Sequence, residues 1–243
     1  MAQEQQRTEH TLYTLALSLN QVQVWQAFLD QAELEFEYLQ SLLSPDERER
    51  ADRFHFDRDR RRFTVGRGIL RLVLSNYLET LPQDIQFQYG THGKPAICAA
   101  LNPAGFCFNV SHSEDLALYA IAQQRSVGID VELIRPLADL ELCAEQVFSV
   151  QERAAFDALP YSQKLTAFFN AWTQKEAYVK ANGAGLSLPL DQIIISFNSI
   201  GSARLMLAET HLNPVQSWFV HTFVPYQGYV AALVLHPLGI RPD

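Results

Sequence analysis

Residues 106–134 read FCFNVSHSEDLALYAIAQQRSVGIDVELI. Three short runs rich in apolar, aromatic and β-branched residues, 106–110, 115–122 and 127–134, are strand candidates, and SHSED at 111–115 is a cluster of turn formers. Runs this short with so few residues between them read as antiparallel hairpins. A fourth candidate at 85–89 is set off by THGKP at 91–95. Working outward, TLYTLALSL (11–19) alternates as a strand does, while Val22, Trp25, Phe28, Leu29 and Ala32 recur at helical spacing and predict a helix. Ser44-Pro45-Asp46-Glu47 has the N-cap serine, early proline and acids of a helix start, and Phe63, Ile69, Leu70, Val73, Leu74 and Tyr77 form a second helical stripe closed by Leu81-Pro82. Residues 141–159 and 164–181 read as helices; 193–198, 203–207, 218–225 and 229–236 read as strands. This order predicts an α+β fold of two pseudo-symmetric halves, 1–120 and 121–243, each a small antiparallel sheet with packed helices. No low-complexity linker parts them, so they share a tight interface.

With 48% hydrophobic and 19% charged residues, the 243-residue chain has the apolar content of a globular core. Its formal charge of −8 argues against nucleic-acid binding. The charge is uneven: residues 48–71 carry nine arginines against Glu49, Asp52, Asp57 and Asp59, a local +5 that leaves −13 elsewhere. A solvated helix face laced with ion pairs explains such a segment; so does a phosphate site. Cys98, Cys107 and Cys143 lack CxxC spacing and read as reduced thiols of a cytoplasmic protein. The opening MAQEQQRTEH has no signal-peptide core, and no apolar run approaches the ~20 residues of a membrane span.

The familiar phosphate-loop, dinucleotide, zincin and hydrolase-elbow motifs are missing from the sequence. Gly128-Ile129-Asp130-Val131-Glu132 instead puts two carboxylates on one face of a strand, where they repel unless a cation lies between them; oxygen donors favour Mg²⁺ or Ca²⁺ over zinc. A solvated strand edge is the alternative. Trp172, Glu176 and Lys180 follow at i, i+4 and i+8 on one helical stripe, an acid-first pair beside a tryptophan suited to burial. The glycines of 181–187 suit a helix end or close approach to a ligand. Ser111-His112-Ser113 forms a turn after a strand; adjacent Ser and His cannot make a hydrolase triad, and a phosphate or amide contact suits them better.

Taken in order, Gly93-Lys94-Pro95, Phe108-Asn109-Val110-Ser111-His112-Ser113, Gly128-Ile129-Asp130-Val131-Glu132 and Trp172-Thr173-Gln174-Lys175-Glu176-Ala177-Tyr178-Val179-Lys180 resemble the motifs of the 4′-phosphopantetheinyl transferases. The length is similar to that of the Sfp-type branch, monomers of two pseudo-symmetric halves. The resemblance implies transfer of the phosphopantetheine arm of coenzyme A to a serine of an apo acyl or peptidyl carrier protein, releasing adenosine 3′,5′-bisphosphate. It implies Asp130, Glu132 and Glu176 as ligands of Mg²⁺, with Mn²⁺ also accepted. Glu176 matches the base for the attacking serine, and Lys180 the cation at the phosphates or leaving group. Lys94, Ser111, His112 and Arg62 match positions holding the 3′-phosphate and adenine end, with Lys175 and Glu152 as further matches. Arg50 matches a basic 3′-phosphate contact, and Glu47 stands where some members have a lysine. Chemistry on a soluble carrier needs no nucleic acid or membrane. An apolar surface drawn from 110–120 and 141–170 is the expected carrier dock. The same acids with water as nucleophile would make a metal-dependent pyrophosphate or nucleotide hydrolase, and a chain that only bound coenzyme A or carrier would not need them.

Overall fold

The structure is a computed structural model that describes residues 13–16, 22–30, 35–90, 93–183, 188–197, 203–205 and 218–236. Outside the described residues lie Ala32, Thr91-His92 of the expected turn, the glycine stretch 184–187 and the unmatched ends of the strands expected at 11–19, 193–198 and 203–207.

Two antiparallel sheets stack face to face. The first has the order β1 (Tyr13–Ala16), β2 (Val22–Phe28), β6 (Leu116–Gln123), β5 (Phe106–Ser113); the second has the order β10 (Phe219–Phe223), β11 (Tyr229–Leu235), β7 (Val127–Leu133). Hairpins β3 (Phe87–Tyr89)–β4 (Pro95–Ile97) and β8 (Ile195–Phe197)–β9 (Ala203–Leu205) flank them. Val22, Val24, Leu118 and Ala120 of the first sheet meet Ile129, Val131, Ala231 and Leu233 of the second in a dry layer. The other face of the first sheet, with Ala27, Tyr119 and Ile121, packs on α3 (Asp57–Leu78) through Val65, Ile69 and Val73. The other face of the second sheet, with Ala232 and Val234, packs on α6 (Tyr161–Asn182) through Ala177, Tyr178 and Ala181. The layers therefore run α3, sheet, sheet, α6. The remaining helices are α1 (Phe36–Ser41), α2 (Pro45–Asp52), α4 (Leu140–Val147) and α5 (Val150–Asp157). Position 120/121, the expected divide, falls inside β6.

Four local expectations are corrected. The strands at 115–122 and 127–134 do not form a hairpin: β6 pairs with β2 and β5, whereas β7 crosses to the other sheet and pairs with β11. Residues 22–28 form a strand, not a helix: β2 pairs with β6 from Val22↔Ala122 to Phe28↔Leu116. It is covered on both faces, so apolar residues stand at odd and even positions and imitate helical spacing. The helix expected over 141–159 is broken at Phe148-Ser149, where Ser149 and Glu152 form a capping box that starts α5. Ser111-His112-Ser113 is not a turn but the end of β5, paired to Leu118, Ala117 and Leu116. The turn shrinks to Glu114-Asp115, with Glu114 taking the left-handed conformation (φ 51°).

Two contacts place the site. β5 and β7, edge strands of different sheets, are joined by side chains instead of a backbone ladder. Asn109 Oδ1, Ser111 Oγ and Ser113 Oγ accept the backbone N–H groups of Ile129, Val131 and Leu133 at 2.8, 3.4 and 3.1 Å. The seam gives the exposed strand edge its missing acceptors. On the opposite face of β7, α6 comes so close that a Cβ at Gly128 would lie 1.9 Å from the Ala177 carbonyl oxygen and 2.5 Å from the Ala181 nitrogen. Glycine is required there for backbone contact.

Candidate active site

Alternation along β7 turns Ile129 and Val131 into the intersheet layer and Asp130 and Glu132 toward α6. α6 brings Glu176 and Lys180, one turn apart on one stripe. Asp130 is buried (4% exposed), and its Oδ1 accepts from Lys180 Nζ at 2.6 Å and Ser111 Oγ at 2.8 Å. Its Oδ2 is buried with no partner among the described residues. Glu132, half-buried, accepts from Ser113 Oγ at 2.8 Å. Glu176, also half-buried, has no hydrogen-bond partner among the described residues. Burial pushes all three carboxyl groups above their ordinary pKa; Asp130 and Glu132 push Glu176 further by repulsion, while Lys180 draws Asp130 back. Lys180 Nζ also reaches Ser111 Oγ at 3.0 Å, and Lys94 Nζ donates to the Lys180 carbonyl oxygen near the end of α6. Gly183 then ends the helix at φ 77°.

Among the described residues no three His, Cys, Asp or Glu side chains form a ready-made metal sphere. The donor set nonetheless fits a hard cation: three clustered carboxylates in a poorly solvated place, one of them with an orphaned buried oxygen.

His112 points to the other side of β5, into a cleft of about 600 Å³ walled by Arg50, Arg58, Arg62, Phe63 and Arg67. Desolvation, then Lys180 and Arg62, push its pKa below 6.5. The basic segment splits between the two readings left open by the sequence. Arg62 is held bidentately by Asp30 at 2.9 and 2.7 Å and touches Glu114 at 3.4 Å, which pushes its pKa up and leaves it an ion pair rather than a vacant phosphate contact. Arg50 lies over the Phe63 ring, 5.3 Å from its centroid, and forms no ion pair among the described residues. Glu47 is turned inward (1% exposed), binding Arg71 at 2.7 Å and meeting Arg67 at 3.5 Å, so its charge is withdrawn from the cleft.

Lys94 sits at the rim of a second cavity, about 840 Å³, shared with Pro95, Cys107, Phe108 and Gly183. Lys175 is not brought to the site. Its ammonium is fully buried and donates to Val147 O (2.7 Å), Glu152 Oε2 (2.7 Å) and Leu190 O (2.9 Å). Three protons meet three acceptors, so none is left for a ligand. Glu152 also accepts from Ser149 N and Ile195 N. One helical step turns a side chain by about 100°, which carries Lys175 off the Trp172–Glu176–Lys180 stripe. Asn109 and Ser113 were not assigned to the carboxylate site; the alternation of 109, 111 and 113 along β5 is the signal that would have found them.

The profile of the 4′-phosphopantetheinyl transferase superfamily matches residues 126–234, which contain Asp130, Glu132, Glu176 and Lys180. A second profile, 4′-phosphopantetheinyl transferase, N-terminal, matches residues 25–124. The 4′-phosphopantetheinyl transferase HetI of Nostoc sp. is 40% identical over 228 residues, 94% of this chain and 93% of that one. The chain belongs to the 4′-phosphopantetheinyl transferase superfamily. As a phosphopantetheinyl transferase it is also similar to Sfp of Bacillus subtilis, 32% identical over 84% of this chain and 87% of that one, which puts it in the Sfp-type branch. Among the described residues no helix is long and apolar enough to cross a membrane.

Proposed function

We propose that this transferase moves the phosphopantetheine arm of coenzyme A to a serine of an apo acyl or peptidyl carrier protein in a magnesium-dependent reaction. The observation that carries this reading is the convergence of Asp130, Glu132 and Glu176 with Lys180 across the β7–α6 contact. In the reaction the carrier serine oxygen bonds to the phosphorus bearing the pantetheine arm. The bond from that phosphorus to the bridging oxygen breaks, and adenosine 3′,5′-bisphosphate leaves with the electron pair. Glu176 takes the serine proton directly or through water. Lys180 stabilises charge on the leaving phosphate. Asp130, Glu132 and Glu176 would hold Mg²⁺, which supplies charge neutralisation at the pyrophosphate. Arg50 and His112, on the walls of the 600 Å³ cleft, would take the 3′-phosphate end.

The halves 1–120 and 121–243 contribute jointly, the first through Ser111 and His112, the second through the carboxylates and Lys180. Residues 116–120 are fully buried in β6 and cannot form part of the carrier dock. Leu142, Val150 and Tyr161 are exposed in the 141–170 region and serve that role in this reading. Intact-mass spectrometry of an apo carrier protein, incubated with the transferase, coenzyme A and Mg²⁺, tests the proposal. A gain of one phosphopantetheine that EDTA abolishes supports it; bisphosphate release with no gain on any carrier overturns it in favour of a hydrolase.

A further inference from the structure

The seam between β5 and β7 does more than join two sheets. A serine hydroxyl has one proton and two lone pairs. Ser113 Oγ receives the Leu133 N–H at 3.1 Å, so its proton is left to point at Glu132 Oε2, 2.8 Å away. Both fixed points lie on strands, Ser113 on β5 and Leu133 on β7, which makes the hydroxyl a rigid donor. Glu132 needs one. Its longer side chain reaches a half-buried place beside two other carboxylates, Asp130 and Glu176, whose like charge drives it toward solvent. Ser111 repeats the arrangement one step along, accepting from Val131 N and donating to Asp130 Oδ1. Asn109 is the third tooth of the comb: it accepts the Ile129 N–H, as the serines do for their partners, but it bonds no carboxylate among the described residues.

We infer that Ser113 is a positioning residue that holds Glu132 in line with Asp130 and Glu176 for a divalent cation. This rests on the reading of the three carboxylates as a metal site. Groups that orient metal ligands typically contribute 10–100-fold to metal affinity.

The test is Mn²⁺ binding to the full-length metal-free protein without coenzyme A or carrier, followed by the electron paramagnetic resonance signal of free Mn²⁺, with thermal unfolding of each variant alongside. Ser113→Ala should weaken Mn²⁺ binding about tenfold or more, and Ser113→Thr, which keeps the hydroxyl, should stay within about threefold of wild type. Asn109→Ala breaks the same seam and should lower the unfolding midpoint while leaving Mn²⁺ affinity alone. Glu132→Gln separates the two levels of the argument. If it weakens Mn²⁺ binding and Ser113→Ala does not, or if Asn109→Ala weakens it as much as Ser113→Ala, the role given to Ser113 is overturned and the metal site stands. If wild type and Glu132→Gln bind Mn²⁺ alike, or neither binds, the metal site itself is overturned, and the positioning role goes with it.

Discussion

Replacing Gly128 by alanine adds one methyl group at the point where β7 and α6 touch. The new Cβ would sit 1.9 Å from the Ala177 carbonyl oxygen, against a practical limit of 3.0 Å, so the helix must retreat by about 1.1 Å. The nearest atoms are helix backbone, which cannot rotate aside as a side chain would. Overpacking of this kind costs about 1–3 kcal/mol, and the backbone clash argues for the upper end. In a chain of this length 3 kcal/mol lowers the unfolding midpoint by roughly 6–12 °C. The activity loss should be larger than the stability loss suggests. Ala177 and Ala181 each adjoin a functional residue, Glu176 and Lys180, and a shift of that size would stretch the 2.6 Å contact between Lys180 and Asp130 beyond hydrogen-bond length. A misplacement of about 1 Å at reacting groups costs on the order of 100-fold in rate. The assay is the initial rate of carrier modification at a temperature where calorimetry shows the variant folded. Gly90→Ala is the control, since a Cβ there meets nothing closer than 3.8 Å among the described residues. Wild-type turnover in Gly128→Ala, with an unchanged unfolding midpoint, would refute the claim that this contact sets the site.

Lys175→Met should cost about 3–5 kcal/mol, because it strands the buried Glu152 carboxylate, while the KM for coenzyme A of the folded fraction stays within about twofold; chemical denaturation and steady-state kinetics check this, and a stable variant with a raised KM would return Lys175 to the ligand site. Glu176→Gln should fold as wild type and lose turnover by at least about 100-fold, as charge and proton acceptance vanish at constant volume; single-turnover rates read it, and a wild-type rate removes Glu176 from the mechanism. Arg50→Ala should raise the KM for coenzyme A about tenfold or more with kcat little changed, the loss of one charge-assisted contact; an unchanged KM with a lowered kcat goes against that role. The imidazole of His112 should titrate below 6.5 by nuclear magnetic resonance in the free protein, and because its folded pKa is depressed, the stability it contributes is present above that value and lost as pH falls through the folded pKa; a midpoint above 6.5 contradicts the desolvation argument.

Much of the candidate site was legible in the sequence because each half of it lies on one regular element. The period of two along 128–132 puts Asp130 and Glu132 on one face, and the period of 3.6 along 172–180 aligns Glu176 with Lys180. Those patterns say which side chains share a face; they do not say what that face meets. Arg62 and Lys175 show the difference. Both are cations in or beside informative motifs, yet Asp30, 32 positions away, takes the first, and Glu152, 23 positions away, takes the second. Glu47, which stands where some family members have a lysine, is likewise taken up by Arg71, 24 positions away.

The sequence by itself determined the α+β class, the three strands between 106 and 134, the helices that became α3 and α6 and the carboxylate faces, because these follow from spacing along the chain. Only the tertiary structure decided that 22–28 is a strand, that 111–113 continues β5, which arginines and lysines are already neutralised, and that β5 is stitched to β7. Each of these turns on a partner far along the chain, and a local period carries no record of which distant element will cover it.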